Sequence, residues 1–145
     1  MKISKIKDVK TPIRGTEKSA GIDFFVPNDF ENFVVEPGNS ACIPSGVKAN
    51  VPNGFALIVF NKSGVALKRS LSVGACIVDE DYQGEIHLHV YNFGNKAETI
   101  CAGEKLVQMI LVPVFYDSIE EVCIEDLFCV NSQRGEGGFG STGVI

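Results

Sequence analysis

The chain has 145 residues, 45% of them hydrophobic and 21% charged, a composition that suits one globular domain able to bury a core without covalent staples. A net charge of -5 with no Lys/Arg cluster argues against diffuse binding to a nucleic-acid backbone, and no run approaches the roughly 18 apolar residues of a membrane span. The five cysteines are scattered, odd in number and without C-x-x-C spacing, which argues against zinc and disulfides; with no signal-like apolar start, this predicts a cytoplasmic, unexported protein.

Strands are predicted over 22–26, 33–36, 40–43, 55–60, 72–78, 85–92 and 105–112. Turn signals punctuate them: Pro27-Asn28, Pro37-Gly38, Pro52-Asn53-Gly54 and Gly94-Asn95. The clearest period sets Ile86, Leu88 and Val90 against His87, His89 and Tyr91, the alternation of a half-buried strand. Helical turns are expected at most at 66–70 and 119–128, and the second alternates well enough to be strand. From Asn131 the chain turns glycine-rich, and glycine has no side chain to bury and maximal backbone entropy to lose. The reading is an all-β sandwich or barrel over 1–130, followed by a mobile arm over 131–145.

Five segments hold residues with chemistry to offer. At 74–86 an apolar run ends in Asp79-Glu80-Asp81-Tyr82 and re-enters a strand, which reads as a hairpin presenting carboxylates at its bend. Acids also simply suit turns, but Asp79 directly follows Ile77-Val78, where a carboxylate can orient a water and take its proton. In the arm, Arg134 offers a planar fork for phosphate, Phe139 a stacking face, and Ser141 and Thr142 hydroxyls, while Gly137, Gly138 and Gly140 let backbone N–H groups approach an anion. That arm is either a disordered glycine tail or a lid that closes on a ligand.

Lys62, Ser63 and Gly64 follow the strand 55–60 and combine cation, hydroxyl and free backbone, although by themselves they are better explained by turn chemistry and no Walker loop is present. Asp23 lies within an apolar strand, either facing water from an edge or buried with a partner such as backbone N–H, lysine or a hydrated metal. Gln108, within 105–112, is a satisfied core amide or a water-holding ligand. His87 and His89 share one strand face with no third metal ligand at suitable spacing, so they read as structural or solvent-facing.

Taken in order, these segments resemble the five motifs of the homotrimeric dUTPase family: A-G-x-D around Asp23, the R-S-G-x-A motif at Lys62–Ser63–Gly64, G-x-x-D-x-D-Y-x-G-x-I through Asp79 and Tyr82, the Gln108 segment, and R-G-x-G-G-F-G-S-T-G from Arg134. The resemblance implies a β jelly roll assembled as a homotrimer, with active sites shared between subunits and the arm closing over a neighbour's site. It implies hydrolysis of dUTP to dUMP and pyrophosphate, which sanitises the nucleotide pool and supplies the dTTP precursor. Asp79 would be the general base, Tyr82 would pack on deoxyribose and exclude a 2′-hydroxyl, and backbone at Gly74, Ala75 and Cys76 would hold uracil. Lys62, Ser63, Gly64 and Gln108 would face the inner phosphates and the water. Arg134 would meet the terminal phosphate and Phe139 the base, with Gly140, Ser141 and Thr142 beside them. Mg²⁺ would be held mainly by the substrate phosphates, with Asp23 supporting it through water.

Two positions depart from the family pattern. Lys62 stands where arginine is usual, replacing a fork by a point charge. Cys76 stands where glycine is usual, so its side chain must point away from the base. Among rival readings, the related dCTP deaminases carry a glutamate at the position of His89 and lack the arm. A nucleotide sensor would use the arm as a switch without turnover, and a purely structural jelly roll would have no reason to carry Arg134 and Phe139 there.

Overall fold

The computed structural model describes residues 1–139 and 141. It divides into two compact units, Met1–Phe115 and Tyr116–Ile145. The first contains β1 (Lys2–Lys5), β2 (Ile13–Arg14), β3 (Ile22–Phe25), β4 (Phe33–Val35), β5 (Ser40–Pro44), β6 (Val47–Asn50) and β7 (Phe55–Asn61). A short helix α1 (Ser63–Arg69) follows, then β8 (Leu71–Val73), β9 (Ile77–Val78), β10 (His87–Asn92), β11 (Glu98–Ile100) and β12 (Lys105–Pro113).

The strands form a five-stranded sheet in the order β2-β3-β12-β7-β9, a three-stranded sheet β5-β10-β8, and two-stranded pairs β1-β6 and β11-β4, all antiparallel. This is a jelly-roll-like β fold. Successive side chains of a strand point to opposite faces, and β10 shows it plainly: Leu88, Val90 and Asn92 are buried while His87, His89 and Tyr91 face outward. Leu88 and Val90 join Phe24, Ile43, Leu57, Leu71, Ile100, Leu106 and Met109 in one core cluster.

All seven predicted strand regions are extended, but the segment at 72–78 is not one strand. It breaks at Gly74–Cys76, because β8 pairs with β10 in one sheet while β9 pairs with β7 in another. The acidic turn after it is likewise no hairpin, since β9 and β10 belong to different sheets. Turn residues signal a reversal of the chain, whereas the partner strand is chosen by packing across the core. Four strands, β1, β2, β6 and β11, carry no period long enough to read. The helical turn expected at 66–70 is α1, which starts three residues earlier.

The buried amide of Asn92 closes the end of β10: its Nδ2 donates to Val35 O and Lys96 O, both at 2.8 Å, and its Oδ1 accepts from Gly94 N at 2.9 Å. The second unit contains α2 (Ile124–Leu127), and every residue from Tyr116 to Glu136 is exposed. Among the described residues, no helix is long and apolar enough to cross a membrane.

Candidate active site

Antiparallel pairing lines up the polar residues of three central strands. Gln108 on β12 stands opposite Asp23 on β3 and Phe60 on β7, with Val107 opposite Asn61. The register of β12 against β3 shifts between Lys105 and Val107, and this bulge turns Lys105 to the side of Gln108 that faces Asp23. Asp23 is only 5% exposed, and an unpaired carboxylate would be costly there. It is ion-paired with Lys62 through one oxygen and with Lys105, at 3.0 Å, through the other. Burial alone would raise its pKa, but the hydrogen bonds and charges of the two lysines outweigh that and hold the carboxyl below its ordinary range.

The trio carries net positive charge, which suits a phosphate better than a metal cation. Among the described residues, no group of three His, Cys, Asp or Glu side chains is placed to hold a metal. Ser63 and Gly64 lie exposed at the start of α1, next to this cluster in the chain.

Asn61 ties the cluster to the segment that follows. Its backbone carbonyl accepts from Gln108 Nε2 at 2.8 Å, its Oδ1 accepts from Val73 N at 2.6 Å, and its Nδ2 donates to Ser72 Oγ at 3.0 Å. The chain then passes through Gly74, Ala75 and Cys76 between the sheets. Here Gly74 N donates to His89 O, Ala75 N donates to His89 Nδ1, and Cys76 O accepts from Val59 N. The Cys76 side chain is exposed.

Beyond β9 lies the acidic turn. Glu80 accepts from Gly54 N at 2.5 Å and Glu85 from Gly46 N at 2.7 Å, so both serve the fold. The exposed carboxylates of Asp79 and Asp81 have no partner among the described residues. Of these two, Asp79 has the fixed backbone, with β9 before it and its carbonyl accepting from Tyr82 N at 3.3 Å. Tyr82 folds over Gly84, where an added Cβ would stand 2.8 Å from Tyr82 Cε2, and its hydroxyl donates to Glu85 O at 2.9 Å. The ring is thereby held in one orientation with one face outward.

Asp79 and the lysine cluster do not meet within one chain. Val78 stands opposite Leu57, which puts Asp79 level with Ala56, at the far end of β7 from Asn61. At about 3.3 Å per residue, Ala56 and Asn61 are about 17 Å apart along the strand.

In the second unit, Arg134 Nε donates to Gly137 O at 2.7 Å, and Phe139 is fully exposed. Ser141 N donates to Gly138 O at 3.0 Å. Gly140 and Thr142 lie outside the described residues.

Sequence reasoning missed Lys105, Asn61 and the loop-holding position of His89. A bulge, a side chain reaching between strands and a cross-sheet loop contact leave no period in the sequence. A lysine near Gln108 and an asparagine ending an apolar strand were the only available hints.

Residues 7–143 match the family model described as dUTPase. The chain is 35% identical over 132 residues to the human mitochondrial deoxyuridine 5′-triphosphate nucleotidohydrolase, covering 91% of this chain and 50% of the human one. It thus spans half the length of that relative. The Fowlpox virus nucleotidohydrolase is 34% identical over 143 residues, covering 98% of this chain and 96% of the viral one. Among solved structures, the dUTPase of Staphylococcus bacteriophage 80alpha with dUpNHpp superposes with a TM-score of 0.86 at 25% identity, covering 99% of this chain and 98% of that one.

Proposed function

The chain belongs to the dUTPase family, and we propose that it hydrolyses dUTP to dUMP and pyrophosphate with Asp79 activating the attacking water. The observation that carries this reading is the state of the acids in the turn: Glu80 and Glu85 are spent on backbone N–H groups, while Asp79 keeps an unengaged carboxylate on a fixed backbone. A carboxylate left free to accept can take a proton from water. The water oxygen then bonds to the α-phosphorus, the bond to the bridging oxygen breaks, and pyrophosphate leaves with the electron pair. The proton stays on Asp79 until solvent removes it.

The remaining residues bind and orient. The held ring of Tyr82 packs on deoxyribose and leaves no room for a 2′-hydroxyl, which rejects UTP. Backbone at Gly74, Ala75 and Cys76 receives uracil, and the exposed ring of Phe139 stacks on it. Lys62 and Lys105, kept in place by Asp23, supply positive charge for the phosphates together with Ser63, Gly64 and Gln108. Arg134 meets the terminal phosphate, with Gly140, Ser141 and Thr142 in the same arm. Magnesium enters with the nucleotide as the Mg–dUTP substrate and offsets the phosphate charge, while Asp23 acts on the lysines.

The separation of Asp79 from the lysine cluster along β7 supports a site completed between subunits, and with it a homotrimer. A glycine-rich arm on a separate compact unit is suited to closing over such a site. The substrates are small nucleotides, with no role for nucleic acid or membrane, and a cytoplasmic setting suits five unpaired cysteines.

A substrate panel tests the activity: pyrophosphate is released from Mg–dUTP, and dTTP, UTP and dCTP are nearly untouched. Release of ammonia from dCTP would instead establish a deaminase. Mixing inactive Asp79→Asn and Gln108→Ala chains tests the shared site. Co-refolded mixtures regain part of the wild-type rate if Asp79 and Gln108 of one site come from different chains, and stay inactive if each chain builds its own.

A further inference from the structure

The segment Gly74–Cys76 crosses between two sheets, so neither ladder holds it along its length. Backbone bonds hold its two ends, at Gly74 N and Cys76 O, and one side chain holds its middle. The Nδ1 of His89 accepts the Ala75 N–H at 3.0 Å, and the His89 carbonyl accepts the Gly74 N–H at 2.9 Å. The imidazole packs against Gly74 so closely that a Cβ there would stand 2.7 Å from His89 Cε1 and 2.7 Å from Tyr91 Cε2. Tyr91 packs beside the imidazole, with ring centroids 4.8 Å apart. Glycine at 74 is therefore the residue that lets the imidazole reach the Ala75 amide.

We propose that His89 is a positioning residue that shapes the Gly74–Cys76 loop for the base by presenting an unprotonated Nδ1 to the Ala75 N–H. The proposal rests on the dUTP reading for its effect on substrate, and on geometry alone for its effect on the loop. To accept this bond the imidazole must carry its proton on Nε2, because a doubly protonated ring has two donors and no acceptor. The titratable groups facing it are the Cys42 thiol opposite on β5, the Tyr91 phenol beside it and His87 two residues back; β8 presents Ser72, and Gly74 follows just beyond it. His87 Nδ1 lies 2.9 Å from Glu85 O and is engaged there. Loss of the Ala75 bond frees the loop without touching Asp79, so binding suffers and the chemical step does not.

Two variants and one spectrum test this. His89→Leu keeps the bulk and removes the acceptor, and is expected to raise KM for dUTP about ten-fold with kcat nearly unchanged. His89→Asn places Oδ1 as many bonds from the backbone as Nδ1, and is expected to restore KM. In protein labelled with ¹⁵N-histidine, His89 Nδ1 is expected to show the shift of an unprotonated nitrogen at neutral pH. An unchanged KM in a folded His89→Leu, or a protonated Nδ1 at neutral pH, would each overturn the proposal. If the wild type hydrolyses no dUTP, the enzymatic reading falls by itself, and the ¹⁵N spectrum with Ala75 amide exchange in the three proteins still decides the role of His89.

Discussion

Gly21, just before β3, and Gln108 on β12 touch so closely that a Cβ on Gly21 would stand 2.7 Å from the Gln108 amide carbon. That contact, with the bond from Gln108 Nε2 to Asn61 O, fixes the carboxamide beside Asp23. Gly21→Ala forces the amide out of its place. Turnover of dUTP is expected to fall at least about ten-fold with less than about 2 kcal/mol lost from folding stability, as read by steady-state kinetics beside urea denaturation.

The Asp79 side chain has no hydrogen bond or ion pair to lose among the described residues. Asp79→Asn is expected to lower kcat by about 10²–10⁴-fold, to leave KM for dUTP within a few-fold, and to leave the melting temperature unchanged. A variant that kept wild-type kcat would remove Asp79 from the role of base.

Acid should expose the Asp23 pairs. A carboxyl whose pKa is depressed in the folded state adds stability that is fully present above its unfolded value, about pH 4, and is lost as pH falls through the lower folded value. Asp23→Asn is therefore expected to melt below the wild type at pH 7, with the gap narrowing below about pH 4. Thermal melts across pH 2.5–7 read this directly, and a constant gap would show that the ion pairs do not stabilise the fold.

The amide of Asn92 makes three hydrogen bonds in a fully buried position. Truncation leaves two carbonyls and one N–H without their partner, each at about 1–3 kcal/mol. Asn92→Ala is expected to destabilise the protein by about 2–4 kcal/mol in chemical denaturation while sparing KM in whatever folds.

Removal of the arm separates binding from assembly. A chain ending before Arg134 loses the guanidinium and the exposed ring of Phe139 but none of the core strands. It is expected to lose nearly all dUTP turnover and to keep the subunit number of the full chain, measured by light scattering. Full activity in the short chain would refute the lid.

Much of this molecule could be read from residue order. Alternation along β10, turn residues between short apolar runs and the change to glycine after Asn131 are local patterns, and local patterns survive in a linear string. The same holds for the five ordered motifs, whose resemblance to the dUTPase family marks Asp79 and Tyr82 as candidates. Partner choice is different in kind. That β8 and β9 split between two sheets, that a bulge swings Lys105 onto Asp23, and that His89 reaches Ala75 all depend on which surfaces bury against each other. So does the separation of Asp79 from Gln108 along β7. Packing energy is summed over contacts between residues distant in the chain, so only the folded structure could decide these relationships.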